Sequence, residues 1–402
     1  MIRVLLFLLT NNFFTYANYF AIFILSYDTL VKRRLVIPKI KNITFFCLVI
    51  ASLSFMLLSE YNGYEISTSS FALKFVLPIC MFYIGYTRGL NGFNSWKMDV
   101  IVIMFATFIH GFLNVVTNRN TNVLLIEGRQ YQDIYGGAIS ATLQNLMFVL
   151  SSALLFYFLI YEKNLKFKIL GIFAALAGAY GSIANASRTL LYVIALVFFM
   201  CLFLHLILKY STFEGIVRGV TVAYGMIIVV LFIMWIDLFG IQEWFAQSAL
   251  GQREATAVAS SSVSQNLRWG YASDILKLLP SYPLGNIPYA HYAHNLWVDI
   301  AKETGIIPFI LYILFCVISA VTVITYLKRS NFDREKVIFI SSIFVASILV
   351  FFTEPVMEGS PMTFGIFCFV VGGYPPFQDK QEYNTYFSKS STGFCMNEVR
   401  RI

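Results

Sequence analysis

A succession of long apolar runs limits, more than any other feature, what this chain can fold into. Eleven runs of 12 to 23 residues alternate with polar connections, and a membrane-spanning helix takes about 20 residues. The chain is 58% hydrophobic and 12% charged, whereas soluble domains hold about 45–50% apolar and about 25% charged residues. This excludes a soluble enzyme, a disulfide-stapled secreted domain and a disordered chain, and it predicts an all-α polytopic membrane protein with about eleven (10–12) transmembrane helices. The runs are Val4–Ser26, Ile43–Leu58, Phe71–Tyr86, Val100–Val116, Ile139–Ile160, Ile169–Ile183, Thr189–Leu208, Ile216–Leu238, Ile306–Leu327, Val337–Phe352 and Met362–Gly373.

The net charge of +8 is spread unevenly over the connections. Every second connection is short and basic; this set carries 16 cations, and the alternate set carries 7. The positive-inside rule assigns the basic set to the cytoplasm. Topology thus explains the positive charge, and we expect no nucleic-acid partner. The cytoplasmic cations are Lys32, Arg33, Arg34, Lys39, Lys41, Arg88, Lys97, Lys163, Lys166, Lys168, Lys209, Arg218, Lys328, Arg329, Arg334 and Lys336.

The alternation of charge puts the N-terminus outside and the C-terminal tail inside. Three asparagines, Asn11, Asn12 and Asn18, interrupt the first run, so a re-entrant or interfacial first segment is the alternative. We divide the chain into an N-terminal transmembrane region (1–182) with an outer loop (117–138), a core (183–327) with a periplasmic loop (240–305), C-terminal transmembrane helices (328–373) and a cytoplasmic tail (374–402).

The long periplasmic loop has local structure that its residues predict. Asn295 is a good N-cap, Gly305 a good helix terminator, and Pro308 fits the first turn of the following membrane helix. The predicted segments are an amphipathic interfacial stretch (Ile241–Leu250), a flexible passage of small polar residues (Gly251–Ser264), a helix (Leu267–Leu279), a loop (Ser281–Ala293) and a short helix (Leu296–Thr304).

Two places on the outer side are candidate functional sites. His294 and Asn295 stand at a helix N-terminus, where free N–H groups favour an anion; ordinary capping is the equal alternative. Arg188 follows several small residues at a junction of two apolar runs, where it either binds a ligand or snorkels to the interface. His291 precedes His294 by three residues, but no acidic or cysteine ligand stands at a matching spacing, so we expect no metal and no cofactor.

An ordered set of short motifs adds a family resemblance. The motifs are Asn185-Ala-Ser-Arg-Thr-Leu-Leu191, Asn266-Leu-Arg-Trp269, Pro283-Leu-Gly285, Ala293-His-Asn295 and Glu303-Thr-Gly305. Their order resembles the C-terminal region of the bacterial O-antigen polymerase and O-antigen ligase superfamily. The resemblance covers residues 183–327, with weaker support from Gly128-Arg129, Gly136-Gly137 and Asn145.

The resemblance implies a membrane-type glycosyltransferase fold (GT-C-like) in the bacterial inner membrane, active on the periplasmic side. The donor would be an oligosaccharide on undecaprenyl pyrophosphate. A polymerase moves the growing chain onto the next lipid-linked repeat unit, and a ligase moves it onto the lipid A core. Pro308 departs from the ligase pattern after His294, which favours the polymerase. A polysaccharide chain-length regulator is the protein partner that the resemblance implies.

The resemblance also assigns roles to residues. Arg188 and Arg268 would hold the pyrophosphate, because a guanidinium bonds two oxygens at once and keeps its charge. His294 would orient the acceptor hydroxyl or accept its proton. Further substrate contacts would come from Arg129, Arg253, His291, Asn295, Trp269 and Tyr271. For the two aromatic residues, anchoring at the membrane interface is the alternative to stacking on sugar rings.

A transporter or flippase for lipid-linked polysaccharide is the reading from a different class. Transporters often keep matched halves and ionisable groups near the bilayer midplane. In this sequence the polar groups gather in outer connections and no matched halves are visible. The polymerase therefore ranks first, the ligase second and the transporter third.

Overall fold

The computed structural model describes the chain in segments. For residues 131, 241, 257–259, 263–269 and 329 it describes the backbone alone. The described residues are 2–11, 19–21, 23–25, 27, 43–64, 71–119, 130–210, 213–215, 217–221, 224–225, 228, 240–259, 263–288 and 291–373.

Helices make up most of the described chain. Their bounds are α1 (Ile2–Asn11), α2 (Ile43–Tyr61), α3 (Leu77–Gly89), α4 (Phe93–Thr117), α5 (Ala141–Leu146), α6 (Val149–Ala153), α7 (Leu155–Ile160), α8 (Leu165–Ala184), α9 (Thr189–Lys209), α10 (Ile241–Gln247), α11 (Ala249–Ala259), α12 (Val263–Leu278), α13 (Leu296–Thr304), α14 (Ile306–Arg329), α15 (Arg334–Thr353), α16 (Val356–Gly359) and α17 (Pro361–Gly372). A π-helical turn (Ala72–Val76) runs directly into α3.

Six helices of the described segments are long and apolar enough to cross a membrane. They are α2, α4, α8, α9, α14 and α15. Each coincides with a predicted apolar run, which confirms an all-α membrane protein. Three other runs form shorter helices: Phe71–Tyr86 gives the π-turn and α3, Ile139–Ile160 gives α5 to α7, and Met362–Gly373 gives α17. Most of the run Ile216–Leu238 lies outside the described residues.

Two of the predicted cytoplasmic connections meet at one end of the helical bundle. Arg88 Nε pairs with Asp99 at 2.6 Å, and Lys97 Nζ pairs with Glu335 at 2.6 Å. The first pair joins the end of α3 to α4, and the second ties α4 to the start of α15. We call this end, marked by Arg88, Lys97 and Glu335, the basic end, and the opposite end, where α8 joins α9, the site end.

The N-terminus begins at the basic end. Arg3 Nε bonds to Asp99 Oδ1 at 3.0 Å, beside Arg88, and Asn11 Nδ2 donates to the Ala106 carbonyl midway along α4. The prediction of an outside N-terminus, opposite the basic connections, is therefore wrong. A buried carboxylate needs a cation, and Arg3 supplies a second one for Asp99.

The start of α2 lies at the basic end as well. Thr44 Oγ1 is 3.3 Å from Thr322 Oγ1, seven residues before the end of α14. α1 and α2 therefore both begin at the same end of the bundle.

A short β-hairpin packs against α4 near the site end. Its strands, β1 (Gln130–Gln132) and β2 (Ala138–Ser140), are antiparallel. Asn118 accepts from the Gln132 N–H at 3.1 Å and donates to its carbonyl at 2.8 Å. His110 Nε2 lies 2.6 Å from Asp133 Oδ1. The described part of the predicted outer loop 117–138 is therefore docked on the bundle by buried polar side chains.

Glycines allow α3 and α17 to lie in direct backbone contact. A Cβ at Gly85 would overlap the Phe369 carbonyl oxygen, and a Cβ at Gly372 would overlap that of Phe82. Small residues bring transmembrane helices close in this way. This packing anchors α17, and with it the connection 353–360 that reaches the site end.

Candidate functional site

The turn that carries Arg188 is held in an unusual backbone conformation. Ala186, fully buried, has φ +53°, a left-handed conformation that costs a residue with a Cβ roughly 1–3 kcal/mol. Ser182 Oγ donates to the Ser187 carbonyl at 2.7 Å, and Asn185 Nδ2 donates to Asn145 Oδ1 at 3.2 Å. Strain of this kind clusters at functional sites, and here neighbouring helices fix it in place.

Helix α11 packs against this turn. Arg188 Nε forms an ion pair with Glu254 Oε1 at 2.9 Å, and Arg253 donates to the Ala186 carbonyl. The structure thus brings Arg188 and Arg253 to one corner of the site end. The prediction of a flexible passage at Gly251–Ser264 is wrong over residues 251–259, because good helix formers and contacts with the Arg188 turn stabilise α11.

A third segment reaches the same corner from the end of α15. Thr189 Oγ1 donates to Glu354 Oε1 at 2.6 Å, and Glu354 is only 4% exposed. Two residues before it, the Phe352 carbonyl accepts from Asn295 Nδ2 at 3.3 Å. Residues 186–189, 352–354 and 293–295 therefore converge, and the segments of Arg188 and His294 are connected through the end of α15.

The start of α13 confirms the predicted cap. Asn295 Oδ1 accepts from the N–H groups of Trp297 and Val298 at 3.1 and 3.2 Å. The Asp299 carboxylate accepts from the N–H groups of Ala293 and Asn295 at 2.8 and 2.9 Å. Side chains of the protein itself thus occupy the N–H groups that were expected to favour an anion. Capping explains Asn295, and its predicted role as a substrate ligand has no support here.

His294 lies between these two capping interactions in a left-handed conformation, with φ +55°. Its side chain is half-buried. Each of the two candidate segments therefore contains one non-glycine residue in a left-handed conformation, Ala186 in the first and His294 in the second. The Asp299 carboxylate, by accepting from the N–H groups of Ala293 and Asn295, holds the backbone on either side of His294.

Two acidic residues of α13 are buried at the site end. Burial raises the pKa of Asp299 to about 6, although the N–H groups of Ala293 and Asn295 oppose this rise. Burial, followed by the neighbouring Glu358 charge, raises the pKa of Glu303 to about 7. Tyr292 Oη donates to Glu303 Oε1 at 3.2 Å. These carboxyl groups gain or lose protons close to neutral pH.

The loop before α13 packs against the end of that helix through two glycines. Gly285 and Gly305 have φ +91° and +82°, and a Cβ on either would overlap the backbone of the other segment. The Ile306 N–H donates to the Pro283 carbonyl at 2.9 Å. Asn62 Nδ2 donates to the Leu284 and Glu303 carbonyls at 2.7 and 2.8 Å. Two of the sequence motifs are therefore the two sides of one close backbone contact.

An apolar cavity of about 830 Å³ lies below this corner, between α12, α14 and α15. Asn295 and Trp297 line it at the site end, and Phe309 and Ala320 line it along α14. Eleven residues of α14 separate the last two, which corresponds to roughly 16 Å of helix. The cavity is thus long, apolar and bounded by polar groups at one end, which suits an amphiphile with a polar head.

The remaining predicted residues divide into two groups. Tyr271 and His291 contact each other, with ring centroids 4.8 Å apart, so the structure pairs two predicted substrate residues. Arg129 and the side chains of Arg268 and Trp269 lie outside the described residues; the backbone of the last two belongs to α12. Within the described segments, no group of three or more His, Cys, Asp or Glu residues is placed to hold a metal ion.

Acidic partners are what the sequence reasoning missed. Glu254 pairs with Arg188, Glu354 bonds to Thr189, and Glu358 pairs with Lys74. The available signal was the occurrence of carboxylates on outer connections that otherwise carry few charges, since such groups need partners when partly buried.

No protein-family model matches the chain, and no curated protein matches it significantly.

Proposed function

We propose that this protein is a membrane glycosyltransferase of the GT-C type that polymerises oligosaccharide repeat units carried on a lipid diphosphate, undecaprenyl pyrophosphate in the family it resembles. The hydroxyl oxygen of an acceptor sugar attacks the anomeric carbon of the donor. The bond between that carbon and the diphosphate oxygen breaks, and the diphosphate leaves with the electron pair. The acceptor proton passes to a base.

The chemistry asks mainly for fixed positive charge. A diphosphate is a good leaving group, so the protein has to stabilise the charge that develops on its oxygens, and preorganised cations in a partly dry site do this well. Arg188 is the first candidate, on a turn that five neighbouring contacts hold rigid. Arg268 is its expected partner by resemblance, and His294 is the expected base.

The observation that carries the proposal is the convergence of the Arg188 and His294 segments above an apolar cavity. An undecaprenyl chain needs an apolar groove, and its diphosphate needs cations at the mouth of that groove. The 830 Å³ cavity supports the first requirement, and Phe352, which lines it, lies two residues before Glu354, the partner of Thr189 beside Arg188. Exposed aromatic and polar groups near Tyr271 and His291 offer a surface for sugars.

The ligase is the second candidate, since it uses the same donor and the same chemistry. The two activities differ in the acceptor, and a deletion strain separates them. Loss of the polymerase leaves lipopolysaccharide with core plus a single repeat unit, whereas loss of the ligase leaves bare core. If the protein were a transporter, the purified protein would show no transferase activity when lipid-linked repeat units are supplied.

Arg188→Ala tests the proposed clamp. Loss of a charged group that stabilises the leaving diphosphate should lower the rate of chain extension about 10²–10³-fold, seen as loss of long glycan chains on a gel. The protein should still accumulate in the membrane. Arg119→Ala is the matched control, because Arg119 is an exposed cation that follows the end of α4, near the site end. Unchanged chain length in Arg188→Ala would contradict the proposal.

A further inference from the structure

We propose that Glu254 is a specificity-determining residue of the Arg188 site. Its carboxylate pairs with Arg188 and so prevents phospholipid head groups from binding there, whereas a lipid diphosphate can displace it. The inference rests on the proposed role of Arg188 in holding the donor diphosphate. It adds a residue that neither the motifs nor the family resemblance singled out.

The ion pair between Arg188 and Glu254 is the starting point. Nε of Arg188 lies 2.9 Å from Oε1 of Glu254, and the two side chains are 21% and 33% exposed. A partly buried pair is screened less than a surface pair. The guanidinium therefore already has an anionic partner when no substrate is bound, and any ligand has to compete with that carboxylate.

The position of Arg188 makes such competition useful. It lies at the junction of α8 and α9, both long enough to cross the membrane, so it stands at the level of the head groups. Phospholipid phosphodiesters carry one negative charge each and are present there at very high local concentration. An uncovered arginine with small neighbours would bind them.

A lipid-linked diphosphate differs from these head groups in charge and geometry. It carries a negative charge on each of its two phosphoryl groups and can bond two guanidinium groups at once, whereas a phosphodiester carries a single charge. It can therefore displace one carboxylate where a phosphodiester monoanion cannot. Arg253, anchored to the Ala186 carbonyl, is a second cation at the same corner that favours a dianion over a monoanion.

Glu254 also fits this role better than the other nearby carboxylate. Glu354 is 4% exposed and bonded to Thr189, so it belongs to the framework of the corner. Glu254 stands on α11, a helix whose described side chains are mostly half-buried or exposed. None of the hydrogen bonds described above for residues 182–189 uses its carboxylate.

Binding of a short probe to the full-length protein in nanodiscs tests the inference. The probe is geranyl methyl diphosphate, and the nanodiscs contain either phosphatidylcholine alone or a large fraction of phosphatidylglycerol. In phosphatidylcholine, Glu254→Gln should bind the probe about tenfold more tightly than the wild type, because a close competing charge is removed. Phosphatidylglycerol should then weaken probe binding several-fold more in Glu254→Gln than in the wild type.

Glu243→Gln is the matched control. Glu243 is an exposed carboxylate on the adjacent α10, bonded only locally to Gln247 among the contacts described, so its variant should respond to phosphatidylglycerol as the wild type does. The response of Glu243→Gln to phosphatidylglycerol therefore measures the general repulsion between an anionic bilayer and an anionic probe. Glu254→Asp, whose shorter side chain reaches Arg188 less well, should shift binding in the same direction as Glu254→Gln by a smaller factor.

The outcomes separate this inference from the proposed function. If Arg188→Ala binds the probe as the wild type does, the clamp is wrong and the inference falls with it. If Arg188→Ala loses binding while Glu254→Gln responds to phosphatidylglycerol like the wild type, only the inference is overturned. Weaker binding of the probe by Glu254→Gln in phosphatidylcholine would also overturn it, because Glu254 would then be a support for Arg188.

Discussion

Buried carboxylates are the residues whose behaviour is easiest to test. The pKa values of Asp299 and Glu303 are raised, mainly by burial, to about 6 and about 7, above those of the unfolded chain. The folded state therefore holds these protons more tightly, and the free energy of unfolding falls as the pH rises from about 4 to about 7. The stabilisation is complete below this window and lost above it.

Glu303→Gln isolates the larger part of this pH dependence. Glutamine keeps an oxygen that can accept from Tyr292 Oη, but it cannot ionise. The melting temperature of the detergent-solubilised variant should therefore fall by a few degrees less than that of the wild type between pH 5 and pH 8. Glu243→Gln, at an exposed position, should show the wild-type slope. Equal slopes for Glu303→Gln and the wild type would refute the assignment.

At the residue scale, the sequence predicted local interactions and missed tertiary ones. The cap at Asn295 was predictable because capping depends on residues within one turn of each other. The ion pair of Arg188 with Glu254 joins residues 66 positions apart, and no local pattern indicates it. The anion site expected at Asn295 is different, because a local contact replaces it: Asp299, four residues further along, accepts from the N–H groups of Ala293 and Asn295.

At the scale of elements, the contact between the loop 281–288 and the end of α13 depends on glycine. Gly305→Ala would place a Cβ against the Pro283 carbonyl in a left-handed conformation, which should cost about 2 kcal/mol or more. The expected result is a lower melting temperature and easier proteolysis of the loop. Gly270→Ala is the control, because its Cβ meets nothing within 4 Å in the middle of α12; helix propensity predicts that it stabilises by about 0.5–1 kcal/mol. Similar melting of both variants would exclude the close contact.

Long apolar elements were predictable and short polar ones were not. The six long helices follow from hydropathy, because backbone groups in lipid have to bond within their own helix. The β-hairpin at 130–140 and the helix α11 are held by side chains of other elements, such as Asn118 and Arg188. Neither has an apolar period that predicts its structure from its own residues.

At the scale of the whole molecule, alternating charge grouped the later connections correctly and failed at the N-terminus. Arg3 is the single cation before the first run, so the positive-inside rule has only one residue to use there. The predicted side of the N-terminus therefore depended on the number of membrane crossings before the first basic connection. The ion pairs of Asp99 with Arg3 and Arg88 place the start of α1 at the basic end. Because α2 begins at that end as well, treating the first run as one membrane crossing gave the wrong side for the N-terminus.

Sidedness can be measured with single cysteines in a variant whose six native cysteines are replaced. The positive-inside rule puts the basic end in the cytoplasm, so an impermeant maleimide added to spheroplasts should label Gln252→Cys on α11 and leave Asn331→Cys unlabelled. Ile2→Cys, beside Arg3, should behave like Asn331→Cys, because both stand at the basic end. Labelling of all three after permeabilisation provides the control for reactivity. If Ile2→Cys were labelled together with Gln252→Cys in intact spheroplasts, α1 would have to cross the membrane. If Asn331→Cys alone were labelled, the site end would face the cytoplasm, where lipid-linked repeat units destined for polymerisation outside the cell would not reach Arg188.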